Sequence, residues 1–511
     1  MLMTKMHQKK FIILDNGTFN MRCIAADLSN SDALSLDQLV ASAHFNDDKP
    51  TTSSPLVAVT LRSSVPGTDL DEDELETFAG TDEHSKDVLD DLLHPVKNGV
   101  IANWENMEQV WSHALHQQLG ISDLSDYILL MSQQLHQSEE ATIKMAEMFF
   151  ERFHVRAIHL SHTAKLAMAS MDRPTGVLVD GGEESVRIVP IYQGSPIVHA
   201  IQQLDGIGAR AQVSFLRTML TKCPIRTTFT HKKLPSSLLR SLIEKHAYVS
   251  QDFEHDNKLV SARLSALQLA WNTESAALLE NGEKHSNETT VSAGDNEGSH
   301  TAYLARMALK ERVENVHWSD LQPHAVEATQ IDGEFPLWLS VERFKCCEIM
   351  FKPSLLGISI VGIHHAILQA ISLCPPDIHK ELFANIVVSG GACQLPGMCD
   401  RLQKELQQLS KDKLDRSNAS NVAASSDTVV AASSSDAASS SDVVDAKSKP
   451  ITHDVVVPKD GVVVIGSAQR NLDVALGGLV LISNCNKQSD LFVDQSSFEQ
   501  YGPKMLEWIS W

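Results

Sequence analysis

Two apolar strands in this chain each end in an aspartate that is followed closely by glycine. The first is Phe11–Gly17 and the second is Val177–Gly182, and they lie far apart along the chain. A strand that delivers Asp and Gly into a tight turn presents backbone N–H groups to an anion, and its carboxylate can hold a hydrated metal ion. Two such turns facing each other predict a clamp for the phosphate groups of a nucleotide.

Alternating strand and helix patterns surround these two motifs. Residues 11–26 predict a strand, a turn and a second strand, and Tyr127–Met131 predicts a short buried strand. Asn103 is a suitable N-cap for a helix, and helices are predicted at Glu139–Phe153 and around Thr163–Ser170. This alternation is typical of an α/β layer covered on both faces. Because the motif strand recurs in a similar setting, the chain reads as two related α/β halves.

The composition limits the class of partner. The 511 residues suffice for two to four domains, and the net charge of −22 argues against nucleic acid or an anionic membrane surface as the main partner. No apolar run approaches the roughly 18 residues of a membrane span. The 8 cysteines lack the spacing of zinc ribbons or disulfide frameworks. These features favour a protein with reduced thiols in the cytosol or the nucleus.

Several polar segments interrupt the α/β pattern. Residues 30–92 are polar and acidic and predict a loop-rich region with a limited core. Residues 206–340 are predicted to be largely helical, apart from an insertion loop at 280–300. In residues 411–448 Ser, Ala and Asp dominate, so this segment cannot bury enough apolar surface to offset its chain entropy. We predict that it is a disordered surface loop.

An ordered series of short segments resembles actin. It begins at Leu93–Trp104, which has the sequence LHPVKNGVIANW. Each piece alone is weakly specific, but the series keeps its order and approximate spacing over most of the chain. The further segments are Val189–Gly194, His199–Ile201, Glu342–Cys346, Lys352–Gly357, Gly362–His364, Ala384–Gly391, Leu395–Gly397, Leu476–Gly478 and Gly502–Pro503.

The resemblance implies the α/β, two-lobed actin/Hsp70/hexokinase-like ATPase fold, with two related halves and a central nucleotide cleft. It implies a first lobe at 1–174, a second lobe at 175–483 and a C-terminal segment at 484–511 that returns to the first lobe. It also implies ATP or ADP with Mg²⁺ as cofactor. The two long polar insertions indicate an actin-related protein rather than a conventional actin.

In the first loop, Arg22 stands where actins carry a lysine that reaches a phosphate, so the charge is kept in a broader planar group. Phe19 replaces a glycine at a place where the backbone approaches phosphate closely. Two interpretations remain for Phe19: a hydrophobic plug or core residue, or a residue beside the phosphate. The residues of this loop that match the family's nucleotide contacts are Asp15, Asn16, Gly17 and Thr18.

In the second loop, Asp180, Gly181 and Gly182 are retained, but Glu183 and Glu184 follow, and Glu184 replaces a glycine. Two extra carboxylates repel a triphosphate unless a metal offsets them. The acidic turn is therefore interpreted either as solvated or as metal-binding. The resemblance assigns the metal, held through water, to the aspartate of this loop and to Asp15.

Other positions match residues that contact nucleotide in actin, and the hydrolytic positions do not match. The matching residues are Gly208, Arg240, Glu244, Gly390 and Gly391. Actin positions its attacking water with a glutamine and a histidine, and the resemblance places Thr163 and Arg187 there. Because an arginine cannot act as a base at neutral pH, we expect weak or no hydrolysis and no confident catalytic residue.

Retained framework motifs with altered hydrolytic positions predict a non-motor structural or interaction subunit in a multiprotein complex. The predicted partners are other actin-like subunits and complex-specific proteins, with no direct nucleic acid and no membrane insertion. Leu373–Pro375 resembles the actin-related subunit at the pointed end of dynactin, which indicates a cytoplasmic, cytoskeletal assembly. One alternative is a nuclear subunit of a chromatin-remodelling or histone-modifying complex. A second alternative is an active, filament-forming ATPase.

Overall fold

The computed structural model describes residues 10–27, 56–62, 94–222, 234–260, 326–331, 335–409, 461–484 and 492–509. The chain divides into two compact units. The first comprises residues 1–210, 360–394 and 398–511, and the second comprises residues 211–359 and 395–397. The predicted insertion loop at 280–300 and the predicted disordered loop at 411–448 lie outside the described residues.

The first unit contains a six-stranded sheet with the order β16-β7-β6-β1-β2-β3. Strands β1 and β2 form an antiparallel hairpin, while β1 pairs with β6, and β6 with β7, in parallel. The centre of β1 is buried on both faces, as expected for a strand covered by helices on each side. The bounds are β1 Lys10–Asn16, β2 Asn20–Asp27, β3 Leu56–Arg62, β6 Tyr127–Gln133, β7 Ala157–His162 and β16 Val493–Asp494.

A second six-stranded sheet in the same unit repeats this arrangement, with the order β10-β9-β8-β14-β15 and with β11 paired to β9. Here β8 and β9 form the antiparallel hairpin and β14 is the parallel neighbour of β8. The expected pair of related α/β halves is therefore present. The bounds are β8 Gly176–Gly181, β9 Ser185–Tyr192, β10 Ser195–Pro196, β11 Gln202–Asp205, β14 Ile386–Ser389 and β15 Val464–Ile465.

A short hairpin precedes the first long helix. Strands β4 (Val96–Lys97) and β5 (Val100–Ile101) pair antiparallel around the two-residue turn Asn98-Gly99. Both turn residues have positive φ, 51° and 78° respectively. This is the sign pattern of a type I′ turn, which favours Asn-Gly because glycine and asparagine tolerate the left-handed region.

The helices of the first unit fill the space around the two sheets. Helix α1 starts after Asn103, whose side chain accepts from the Asn106 N–H at 3.0 Å, and it continues as a π-helical turn over His113–Gln118. Its Trp111 packs against Phe149 of α2 in the larger core. The helices of this unit are α1 Trp104–Ser112, α2 Glu139–Glu151, α3 Thr163–Ser170, α8 Ile363–Ser372, α9 His379–Phe383, α10 398–409, α11 Asp473–Asn484, α12 Gln495–Tyr501 and α13 Lys504–Ile509. Helix α4 spans Ala209–Lys222, and all of it after residue 210 belongs to the second unit.

Helices α3 and α11 pack against each other between the two cores. The backbone approach is so close that a Cβ on Gly477 would lie 1.8 Å from the Leu166 carbonyl oxygen, which excludes any side chain there. Leu479 of α11 packs with Phe11 and Ile13 in the first sheet's core. Met168 of α3 belongs to the second sheet's core. The crossing thus joins the two halves of the first unit.

The second unit holds the helices α5 Ser236–His246, α6 253–260 and α7 Glu342–Glu348, and the hairpin β12 (Val326–Ile331) and β13 (Phe335–Leu339). Phe253, Val260 and Phe344 form its apolar cluster. The Arg343 Nε donates to the His246 carbonyl at 2.8 Å and ties α7 to the end of α5.

Strand β3 differs from the expectation for its region of the sequence. Strand β3 lies within the region 30–92, and Val59 and Leu61 are buried, so these seven residues are part of a sheet rather than a loop with limited core. Their alternation of apolar residues suits a strand beside β2.

No helix in the described residues is long and apolar enough to cross a membrane. The lobe boundaries at 174 and 483 stay a prediction.

Candidate functional site

The first Asp–Gly turn is built by the β1–β2 hairpin, in which Asp15 lies opposite Arg22. The Arg22 Nη1 donates to the Asp15 carboxylate at 3.2 Å, and both side chains are largely buried. The Ser132 hydroxyl, at the end of β6, donates to the other Asp15 oxygen at 2.8 Å. The Arg22 guanidinium therefore neutralises the first-loop carboxylate, and its Nε is buried without a hydrogen-bond partner.

The other residues of this turn have defined partners. The Trp111 indole N–H donates to the Asn16 side chain at 3.0 Å, which fixes the residue that precedes Gly17. A Cβ on Gly17 would lie 2.3 Å from the Asn20 carbonyl oxygen, so the turn requires glycine. The Phe19 ring contacts the His94 ring, with centroids 5.8 Å apart. This contact supports the plug interpretation of Phe19.

The second Asp–Gly turn joins β8 to β9, and here Asp180 lies opposite Arg187. Burial raises the pKa of Asp180, and the nearby Asp15 carboxylate raises it further, while Arg187 and Arg22 lower it. The two aspartates are thus close enough to interact electrostatically. That the carboxylates of both turns form one phosphate site stays a prediction.

Two predicted glycines lie directly against the second turn. A Cβ on Gly390 would approach the Gly181 carbonyl oxygen to 2.4 Å, and its φ of +85° also favours glycine. A Cβ on Gly208 would lie 2.5 Å from the Glu183 carbonyl oxygen. The backbone N–H of the residue after Gly208 donates to the Gly182 carbonyl at 3.1 Å. The crowding of backbone around this turn leaves no room for side chains at Gly390 or Gly208.

Arg187 is held by neutral acceptors from three other segments. Its Nη1 donates to the Gln134 side chain at 3.1 Å, its Nε donates to the Gln203 side chain at 3.3 Å, and its Nη2 donates to the Asn98 carbonyl. Burial lowers the pKa of Arg187, while Asp180 and other nearby carboxylates raise it. An arginine fixed in this way keeps its charge at neutral pH and cannot accept a proton from water.

Thr163 and Gln134 meet at the same place. The Thr163 hydroxyl donates to the Gln134 Oε1 at 3.4 Å, so this one oxygen accepts hydrogen bonds from both Thr163 and Arg187. A small pocket, with room for about one water molecule, opens beside them. Its lining carries no charged side chain and consists of Asn16, Val96, Gly99, Ile101, Ser132, Gln133, Gln134, Gln137 and Thr163.

The two extra glutamates of the second turn have partners. The Arg210 guanidinium lies 2.9 Å from a Glu184 oxygen and 3.8 Å from Glu183. The other Glu184 oxygen accepts from the Asn98 backbone N–H. Both glutamates of the acidic turn therefore have a positively charged partner, and the metal-binding interpretation stays a prediction. In the described part of the chain, no cluster of three or more His, Cys, Asp or Glu side chains could hold a metal ion.

Phosphate and a hydrated Mg²⁺ fit the donors of the two turns. Arg22 and Arg187 supply positive charge beside the turns. The negative charge of Asp15 raises the pKa of Asp180, and a bound cation would offset this repulsion between the two carboxylates. Mg²⁺ keeps several waters and is typically held by one or two carboxylates with substrate phosphates. Asp15 and Asp180 would hold the hydrated ion, which would supply charge neutralisation to the phosphates.

The remaining predicted residues lie elsewhere. Arg240 and Glu244 are on α5 in the second unit, and Gly391 begins a short 3₁₀ helix after β14. The nucleotide role of every predicted site residue stays a prediction. Sequence reasoning did not identify Asn98, Gln134 or Arg210. The Asn98-Gly99 pair is a recognisable turn signal, whereas nothing local marks Gln134 or Arg210 as partners of the second turn.

Comparison with known proteins identifies the family. Residues 7–435 match the family model described as Actin. The chain is also similar to Actin-like protein 7A from Bos taurus, at 26% identity over 339 residues. That alignment covers 65% of this chain and 61% of the relative's length. The predicted α/β actin/Hsp70/hexokinase-like fold class is confirmed, and the chain belongs to the actin family as a divergent, actin-related member.

Proposed function

We propose that this protein is a non-motor structural or interaction subunit of the actin family that holds ATP or ADP with Mg²⁺ and hydrolyses it weakly or not at all. One observation carries the proposal. Arg187 stands where the resemblance expects a water-positioning histidine, and its guanidinium is fixed by Gln134, Gln203 and Asn98. In-line attack on a phosphate needs a positioned water, and arginine cannot serve as the base.

Nucleotide binding itself is supported by the opposed turns. Asp15 and Asp180 interact electrostatically, and Gly17, Gly208 and Gly390 pack so closely against backbone carbonyl oxygens that no side chain fits at these positions. These are the elements that accept phosphate and a hydrated cation. If the protein binds a nucleotide without hydrolysing it, the nucleotide is a structural ligand. Such a ligand stabilises the folded state by mass action.

The test has two measurements on the purified full chain. Nucleotide extracted under denaturing conditions and separated by chromatography is expected to contain ATP or ADP in near-stoichiometric amount. Phosphate release with added ATP and Mg²⁺ is expected to stay at background. An empty cleft would reject the cofactor proposal, and steady phosphate release with pelletable filaments would favour the filament-forming ATPase instead.

For the assembly, we propose a cytoplasmic, cytoskeletal complex resembling the pointed end of dynactin, with other actin-like subunits as partners. The support is the resemblance at Leu373–Pro375, and in the structure Leu373 is 41% exposed at the end of α8. Affinity purification with mass spectrometry tests this. Recovery of chromatin-remodelling subunits without dynein-adaptor peptides would replace it with the nuclear alternative.

A further inference from the structure

Each Asp–Gly turn has an arginine opposite its aspartate. Arg22 lies opposite Asp15 across the β1–β2 hairpin, and Arg187 lies opposite Asp180 across the β8–β9 hairpin. Residues directly opposite each other on antiparallel strands carry side chains on the same face of the sheet, close enough to interact. Each turn therefore has, within its own hairpin, a positive charge that accompanies its carboxylate.

The two arginines outweigh the repulsion between the two carboxylates. Burial raises the pKa of Asp180 most. Arg187 has the next largest effect and lowers this pKa, the charge of Asp15 raises it by less, and Arg22 lowers it again. The charges around Asp180 therefore favour its ionised form on balance, without a metal ion. A divalent cation offsets the same repulsion, so little of this role is left for it at the two turns.

Arg187 is held in place and still has donors for a further acceptor. Its Nε, Nη1 and Nη2 each donate one hydrogen bond, to Gln203, Gln134 and the Asn98 carbonyl respectively. A guanidinium carries five N–H donors, so within the described part of the chain these bonds use three of them. All three acceptors are neutral, whereas a phosphate oxygen forms the stronger, charge-assisted bond. Because the guanidinium is already fixed beside the second turn, it loses little freedom when it binds an anion.

The two glutamates of the second turn are compensated by a different arginine. The Arg210 guanidinium lies 2.9 Å from a Glu184 oxygen and 3.8 Å from a Glu183 oxygen. With the two aspartate–arginine pairs, the turns hold four carboxylates and three guanidiniums, an excess of one negative charge. Mg²⁺ is typically held by one or two carboxylates together with substrate phosphates. The fixed guanidiniums supply most of the positive charge that such an ion would bring.

We propose that Arg22 and Arg187 make nucleotide binding at the two turns largely independent of a divalent cation. The phosphates are then neutralised mainly by arginines of this chain, and Mg²⁺ adds only a modest gain in affinity. The ligand class is a nucleoside diphosphate or triphosphate, bound with or without its metal ion. The inference rests on the proposed function for the nucleotide itself and deepens it in the role of the metal.

The release of a bound nucleotide measures the role of the ion directly. The full-length protein is loaded with a fluorescent ATP analogue, and release of the analogue is followed after a chase with excess ATP, in Mg²⁺ or in EDTA at constant ionic strength. For the unchanged protein, EDTA is expected to speed release less than about fivefold, the size of one ordinary net hydrogen bond. A larger effect of EDTA overturns the inference and leaves the proposed function intact. A protein that cannot be loaded in either buffer rejects both.

The variant Arg187→Met tests whether this arginine is responsible. The analogue is expected to leave at least about tenfold faster in EDTA than in Mg²⁺, because the charge-assisted bond to phosphate is lost and only the metal ion replaces it. Release in Mg²⁺ close to that of the unchanged protein shows that the variant is folded. Arg173→Met, at an exposed position of the same unit, is the matched control. If Arg187→Met responds to EDTA no more than this control, the assignment to Arg187 fails.

The conservative variant Arg187→Lys separates charge from a purely structural role. Lysine keeps the positive charge but lacks the planar fork that reaches several acceptors. It is expected to retain most of the resistance to EDTA, whereas a structural role of the guanidinium predicts the same loss as in Arg187→Met. Equal sensitivity to EDTA in the two variants therefore rejects neutralisation by charge. Arg22 is kept in this test, because its removal leaves the buried Asp15 carboxylate without its arginine partner and destabilises the fold.

Discussion

Arg22 lies opposite Asp15 across the β1–β2 hairpin and donates to its carboxylate at 3.2 Å. Arg187 occupies the equivalent place opposite Asp180 across β8–β9, but it donates to Gln134, Gln203 and Asn98. The two hairpins therefore carry the same cross-strand pair with different hydrogen bonding. Asp15 is neutralised by Arg22 of its own hairpin. Arg187, in contrast, donates to Asn98 of the β4–β5 hairpin and not to Asp180.

Replacement of Arg22 by Met is expected to lower the apparent unfolding temperature by several degrees. The change leaves Asp15 as a buried charge without its partner, and breaking one side of such a pair costs about 3 kcal/mol. The double variant Asp15→Asn with Arg22→Met is expected to recover a large part of the loss. Differential scanning fluorimetry of both proteins gives the comparison, and equal midpoints for the single variant and the unchanged protein would contradict it.

Gly477→Ala is expected to prevent α11 from packing on α3. The added Cβ would lie 1.8 Å from the Leu166 carbonyl oxygen, so α11 and α3 must move apart. The packing between these two helices, which connects the cores of the two sheets, is then lost. We expect a loss of stability of about 3 kcal/mol or more, seen as a low yield of soluble protein and a non-cooperative melt. Ser483→Ala on the same helix is the control and should melt within a few degrees of the unchanged protein.

Asp473 predicts a pH dependence. Its side chain is fully buried at the start of α11, it accepts from the Ser467 hydroxyl at 2.5 Å, and burial raises its pKa to about 6. Because the folded-state pKa exceeds the unfolded one, the protonated carboxyl stabilises the fold at low pH, and this stability is lost as the pH rises to about 6.

The variant Asp473→Asn mimics the protonated carboxyl at every pH. Its melting midpoint, compared with that of the unchanged protein, is expected to rise between about pH 4 and about pH 6. Midpoints of both proteins measured across this range in one set of buffers provide the test. A difference that does not vary with pH would show that folding does not raise the pKa of Asp473.

Arg210→Ala is expected to weaken ATP binding several-fold at low ionic strength. Arg210 pairs with Glu183 and Glu184, and its removal takes a positive charge away from two carboxylates of the second turn, which would then repel a phosphate bound there more strongly. Since Arg210 is half exposed, its loss should change stability little, and salt should screen the effect on binding. Titration calorimetry at about 0.05 M and about 0.5 M salt tests both points, with Arg210→Lys as the control. Equal affinities at low salt would disprove the role.

Local patterns predicted the elements near the site well. The helix after Asn103 and the helix Thr163–Ser170 are present as expected, and the two strand–Asp–Gly motifs form hairpins in similar sheets. These predictions succeed because an N-cap, an apolar run and a glycine turn each determine the local structure through residues that are close together in the sequence. Strand β3 was not predicted, because its seven residues lie in a polar region and form a strand only beside β2.

The side-chain partners in the site could not be predicted in the same way. Arg187 bonds to Gln134 and Asn98, which are 53 and 89 residues away in the sequence. Such contacts depend on how three segments meet, and propensity or spacing gives no signal for them. The resemblance to actin located Arg187 and Glu184 as substitutions, but it did not indicate that both would bind the same residue.

The long sequence separation between α11 and the first strand affects how the protein can fold during synthesis. Ala475, Leu479 and Ile482 cover Phe11 and Ile13, which are among the earliest described residues to leave the ribosome. This part of the first sheet's core therefore cannot be completed until α11 has been synthesised. Apolar sheet surface that stays exposed during synthesis is prone to aggregate, so we expect the nascent protein to depend on a chaperone.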